Sequence, residues 1–105
     1  MKPTWKTMYK ALEDKKAFDL AVLDVRGLCS FTDYILVCTG MSDRQIRAMA
    51  EHVMETFGKP FGKEGLEQGR WVLLDYLDVV VHIFQPDLRK YYDIEGMWYE
   101  ARRLK

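Results

Sequence analysis

The run Tyr34-Ile35-Leu36-Val37-Cys38-Thr39 is nearly all apolar, and Gly40-Met41-Ser42 leads from it straight into a stretch with helical periodicity. A strand that is solvated on one face alternates apolar and polar residues. A strand apolar at almost every position must be covered on both faces, so it belongs in the interior of a sheet. The rest of the chain has to supply its neighbours and its cover.

Those elements can be read from the spacing. Trp5, Met8, Tyr9 and Leu12 fall at i, i+3, i+4 and i+7, which predicts a helix capped by Thr4 and ending near Lys15-Lys16. Phe18 to Val25 reads as a strand, with Arg26 to Ser30 as the turn after it. Ser42 and Gln45 form a capping-box pattern for a helix through Ile46, Met49, Ala50, Val53 and Phe57, stopped by Gly58 and Pro60. A Gly-containing connection follows, with a short edge strand near Phe61. Trp71 to Leu74 and Val79 to Phe84 are strands joined by the hairpin segment Asp75 to Asp78. Pro86-Asp87 starts a helical tail in which Ile94, Met97, Trp98 and Ala101 repeat the helical spacing. The order α-β-β-α-(β)-β-β-α holds one β-α-β crossover and one hairpin. It predicts an α/β (α+β) fold, a mixed sheet with flanking helices, in a single domain of residues 1–105.

Composition narrows the function classes. Of the 105 residues, 49% are hydrophobic, enough to build a core and too many for a disordered chain. Lys and Arg number 16, as do Asp and Glu, so the net charge is zero and a whole-surface attraction to nucleic acid or anionic membrane is not expected. The layout is uneven. Residues 1–16 carry +3, 17–63 carry −1, 64–100 carry −5 and 101–105 carry +3. An acidic body with basic ends suits a basic protein partner, although an ordinary solvated surface can look the same. Cys29 and Cys38 form no CxxC pair, and His52 and His82 form no metal-binding spacing, so neither a metal nor a disulfide framework is expected. The start of the chain does not read as a secretory leader. No apolar run approaches the roughly 20 residues of a membrane span. The expected setting is cytoplasmic.

Three groups could carry chemistry. Gly40-Met41-Ser42 sits where a strand enters a helix, a position that can hold a phosphate. A nucleotidyltransferase would also need closely spaced carboxylates for metal. The chain offers Ser42, Asp43 and Asp75 but no Asp-x-Asp pair, and helix capping already accounts for Gly40 and Ser42. Asp75, Asp78 and His82 form the densest cluster, and Asp78 and His82 share strand parity if the strand starts at Asp78. No nucleophile or oxyanion donor accompanies them, so His82 is better read as a hydrogen-bonding group on a recognition surface. Aromatic residues crowd the second half. Periodicity assigns Trp98 to the core and leaves Trp71, beside the acidic loop, for a contact surface.

The runs Lys16-Ala17-Phe18-Asp19, Leu23-Asp24-Val25, Thr32-Asp33-Tyr34 and Thr39-Gly40-x-Ser42 with Arg44 resemble the ribosomal silencing factor (RsfS, iojap) family. So do Glu64-Gly65, the segment Trp71-Val72-Leu73-Leu74-Asp75-Tyr76-x-Asp78-Val79-Val80-Val81-His82-x-Phe84, and the tail Arg89-x-Tyr91-x-x-Ile94-Glu95-x-x-Trp98. The resemblance spans roughly residues 5–101. It implies a nucleotidyltransferase-like fold lacking catalytic carboxylates, and a protein that is not an enzyme and needs no cofactor. The implied partner is ribosomal protein number fourteen on the intersubunit face of the large ribosomal subunit. Occupying that face would block subunit joining and repress translation under nutrient limitation. The resemblance also implies homodimers in isolation and no requirement for direct nucleic-acid binding. Carried over by position, the partner-binding residues are Glu64, Gly65, Trp71, Asp75, Tyr76, Asp78 and His82. Two positions depart from the family pattern. Leu77 replaces a usual Gly, which is costly if the hairpin needs positive φ there. Met97 replaces Leu, a change of little consequence. The alternative reading is a nucleotide-binding or nucleotidyltransferase-type enzyme built on Gly40-Met41-Ser42.

Overall fold

A computed structural model describes residues 3–105; Met1 and Lys2, weighed above as the start of a leader, lie outside the described residues. Six strands form one sheet: β1 (Phe18–Asp24), β2 (Tyr34–Thr39), β3 (Gly62–Glu64), β4 (Trp71–Asp75), β5 (Val79–Phe84) and β6 (Arg102–Arg103). Their order across the sheet is β3-β4-β5-β2-β1-β6. β2 and β5 run parallel at the centre, and all other pairs are antiparallel. The expected mixed sheet with flanking helices is what forms, and the apolar strand is central as its composition requires.

One face of the sheet carries helix α1 (Trp5–Asp14) and helix α2 (Asp43–Phe57). Met8 and Leu12 of α1 and Ile46, Met49, Ala50 and Val53 of α2 are buried on Val22, Leu36, Cys38, Val72, Leu74, Val81 and Ile83. Both helices start where their caps predict. Thr4 accepts from the Thr7 N–H, and Thr7 closes the box by accepting from the Thr4 N–H. Ser42 accepts from the Gln45 N–H, but the Gln45 side chain takes the N–H of Met41, one residue before the cap. No helix among the described residues is long and apolar enough to cross a membrane.

The second face is covered differently from expectation. The tail is not one periodic helix. It breaks into α3 (Pro86–Tyr92) and the four-residue α4 (Ile94–Met97), then extends into β6. Asp93 causes the break. It adopts left-handed backbone at φ +47°, ends α3 and caps α4 by accepting the Gly96 N–H. Met97 is consequently exposed, while Ile94, Leu88, Trp98 and Ala101 pack with Leu23, Val25, Ile35, Val37 and Phe84. Past Ala101 the chain pairs with the free edge of β1, where ladder hydrogen bonds replace another helical turn.

Arg89 clamps this tail to the sheet. Its guanidinium bonds Glu95, the Thr39 hydroxyl at 2.8 Å and the carbonyl of Asp19. Asp19 sits in a bulge of β1 at φ +50°, and the bulge turns its carbonyl toward the arginine.

Candidate functional site

Register decides which side chains share the second face. On β4, Trp71, Leu73 and Asp75 are half-buried while Val72 and Leu74 are buried against the helices. Directly opposite on β5 lie Phe84, His82 and Val80. Glu64 of β3 pairs with Leu73, so it lies on the same face at the exposed edge. The tail gathers over β1, β2 and Phe84. The half of the sheet built from β3, β4 and the near side of β5 therefore keeps an aromatic and acidic surface.

Trp71 anchors that surface. Its ring stacks on Phe84 at 4.9 Å between centroids and lies 4.5 Å from Tyr92. Its indole N–H donates to His82 Nδ1 at 3.0 Å. Since an indole N–H can only donate, His82 must be neutral with its proton on Nε2. Burial reinforces this, pushing the imidazole down to about 4. No buried side-chain nitrogen or oxygen among the described residues lacks a partner, so Nε2–H reaches solvent. His82 thus presents one fixed donor beside the Trp71 ring.

The other expected residues are placed as follows. Gly65 contributes backbone: at φ +79°, an added Cβ would stand 1.9 Å from the Trp71 carbonyl oxygen. That closeness seats the 65–69 loop, whose Gly69 N–H donates to the Gly65 carbonyl. Tyr76 has the opposite strand parity from Asp75. It packs with the helical-face core and donates to the Gly58 carbonyl at 2.6 Å, and burial raises its phenol above the ordinary value. Asp78 precedes β5, which starts at Val79. Its carbonyl accepts from Asp33 and Tyr34, and it lines a cleft with Thr4, Trp5 and Asp33 near the start of α1. Glu64, Trp71, Asp75 and His82 share a face, with Gly65 shaping it from behind; Tyr76 and Asp78 lie elsewhere.

Tyr92, against Trp71, escapes a reading of the sequence, because no local spacing links a tail residue to β4. Leu73 reads there as an ordinary strand residue.

The turn at position 77 needs the backbone that favours glycine. Leu77 sits at φ +70°, and the Asp78 N–H bonds the Tyr76 carbonyl at 2.9 Å, closing a γ-turn. Asp75 holds the turn by accepting the Leu77 N–H at 2.8 Å, and the Leu77 side chain is exposed. Left-handed backbone costs a branched residue roughly 1–2 kcal/mol. Leu77→Gly relieves this but loosens the unfolded chain by about 0.4–1 kcal/mol. Urea denaturation should show a net gain of about 0.5–1 kcal/mol. A less stable Leu77→Gly would mean the turn is relaxed as it stands.

At the Gly40-Met41-Ser42 junction the Gly40 N–H bonds the Phe84 carbonyl at 3.0 Å, and two further polar groups serve the helix cap. The Met41 N–H goes to Gln45 Oε1 at 2.7 Å, and the Ser42 hydroxyl accepts the Gln45 N–H. Asp43 pairs with Arg47. Asp75 aligns through Val80 with Ile35, at the start of β2, whereas Ser42 and Asp43 follow its end. The candidate nucleotidyltransferase residues are therefore at opposite ends of the sheet. Among the described residues no three His, Cys, Asp or Glu side chains group as a metal site.

Known proteins match this architecture. The family described as "Ribosomal silencing factor during starvation" matches residues 1–105. The ribosomal silencing factor RsfS of Bacillus subtilis is 42% identical over 95 residues, covering 87% of this chain and 80% of that protein. A crystal structure of a Chromobacterium violaceum protein superposes with a TM-score of 0.84 at 44% identity, covering 90% of this chain and 82% of that one. A more distant mouse relative, named for mitochondrial assembly of the ribosomal large subunit, is 28% identical over 94 residues, covering 83% of this chain and 41% of its own length. With a family match along its whole length, this chain belongs to the ribosomal silencing factor (RsfS) family.

Proposed function

We propose that this protein is a non-catalytic regulator of translation in the cytoplasm that docks on the large ribosomal subunit through the Trp71 face of its sheet. Its contact there is ribosomal protein number fourteen, on the side that meets the small subunit. A bound domain of this size occludes the joining surface, so the mechanism is steric and represses translation under nutrient limitation. The observation that carries the reading is the Trp71–His82 arrangement, with the carboxylates of Glu64 and Asp75 on the same face. Stacked, hydrogen-bonded aromatic area is a good anchor, and acidic groups around it complement a basic ribosomal protein. In isolation the same half-covered face serves a homodimer.

Sedimentation with purified subunits tests this. The wild type should travel with the large subunit and reduce subunit joining. Trp71→Ala, which removes the central anchor, should weaken the association by about 30-fold or more. Glu64→Lys should weaken it chiefly at low salt. The reading fails if the wild type travels with neither subunit, or if both variants bind as the wild type does.

A further inference from the structure

The two basic blocks of the sequence, at opposite ends of the chain, meet in the fold. β6 lies on the outer edge of β1, and Leu104 donates to the Val22 carbonyl at 2.8 Å, which brings the last residues alongside α1. The Lys105 ammonium stands 5.7 Å from the Tyr9 ring, and Lys6 stands 5.6 Å from the Trp5 ring. Trp5, Lys6, Tyr9, Lys10, Glu13 and Lys105 line an open cleft of about 400 Å³. Arg102 and Arg103 are exposed on β6.

This charge is only partly offset within the chain: Glu13 lines the same cleft, and Asp24 and Glu100 share a second cleft with Arg102. Among the described residues Lys6, Lys105, Arg102 and Arg103 form no ion pair, and Lys10 meets Asp14 only in an exposed pair of the weak kind. Asp24, opposite Arg102 in the ladder, is engaged by Arg26 at 2.7 and 2.9 Å; that hydrogen bonding holds its carboxyl below the ordinary value. Glu64 and Asp75 lie on β3 and β4, at the other end of the sheet. Five strand spacings, roughly 24 Å, separate the edge strands. The basic residues of α1 and β6 therefore gather in one pole, across the sheet from Glu64 and Asp75.

We infer that the α1–β6 pole binds the phosphate backbone of RNA next to the protein docking site, so that the protein holds the large subunit at two points. The inference rests on the docking reading above. Cationic side chains interleaved with aromatic rings suit a polyanion that also offers sugar and base faces, and the cleft is open enough to follow a backbone. An acidic protein segment would meet the charge but would make less use of the rings.

The salt dependence of large-subunit binding, measured between about 50 and 200 mM KCl, tests it. Lys6→Gln/Lys10→Gln/Lys105→Gln should bind more weakly at low salt. Its plot of log K against log salt should be shallower by about 2, at roughly 0.7–0.9 for each phosphate that is no longer neutralised. Trp71→Ala should lower the affinity and leave the slope unchanged. Equal slopes for the wild type and the triple variant overturn the inference while leaving protein docking intact. A wild type that ignores the subunit removes the docking reading instead. The pole is then judged on a ribosomal RNA duplex alone: binding that disappears in the triple variant supports it, and no wild-type binding overturns it. Competition by polyglutamate as strong as by RNA also overturns it, in favour of an acidic protein partner.

Discussion

Gly65→Ala should be among the most damaging single substitutions in this protein, costing about 3 kcal/mol in urea denaturation and, under the proposed docking, abolishing large-subunit association. Two effects act together. The φ of +79° strains any side chain, and the new Cβ would stand 1.9 Å from the Trp71 carbonyl oxygen and 3.0 Å from its carbon. Backbone strain of this kind costs about 1–3 kcal/mol. The clash adds to it, because the neighbour is backbone and cannot rotate away. β3 must then part from β4, which displaces Glu64 and Trp71 together. Gly58→Ala is the control, since its φ is +88° but nothing lies within 4 Å of the added carbon. If the two variants are equally stable, the close approach of the 65–69 loop to β4 is not what Gly65 provides.

The second large effect is on pH. His82 titrates at about 4 in the folded chain against an ordinary value of 6.5. Between those values the unfolded chain holds the extra proton, so stability falls as pH falls. The contribution is fully present above pH 6.5 and is lost as pH drops through about 4. At roughly 1.4 kcal/mol per unit, about 3 kcal/mol disappears across that window. Desolvation is the cause, and protonating Nδ1 would also set its proton against the Trp71 indole N–H. His82→Asn keeps an acceptor near the Nδ1 position and cannot titrate. Its stability should decline less than that of the wild type between pH 6.5 and 4. Parallel pH profiles would show that His82 is not buried against Trp71 in solution.

The sequence is most informative where one period governs an element. The capped starts at Thr4 and Ser42, the stop at Gly58 and the central strand Tyr34–Thr39 all follow from residues within a turn or two of one another. Period-two parity likewise puts Trp71 and Asp75 on one face of β4. The tail departs from its periodicity for an identifiable reason. Ile94, Met97, Trp98 and Ala101 have helical spacing, but Asp93 turns left-handed and β1 has an edge to fill, and neither fact is local. Asp78 shares parity with His82 only if β5 begins one residue earlier than it does. Leu77 is costly if the hairpin requires positive φ, and the turn does require it.

What the sequence alone determined is the elements up to Phe84 and their apolar faces, because helix and strand periods are written in neighbouring residues. What only the tertiary structure decided is which of those faces meet. The Trp71–His82 hydrogen bond joins diagonal positions on β4 and β5, and it exists because Leu73, not Trp71, pairs with His82. The Tyr92 contact, the Gly65 approach to β4 and the union of Lys6 with Lys105 are likewise products of register and strand order. A one-residue slip would turn Trp71 to the other side of the sheet without changing its β propensity, so no local reading could supply that information.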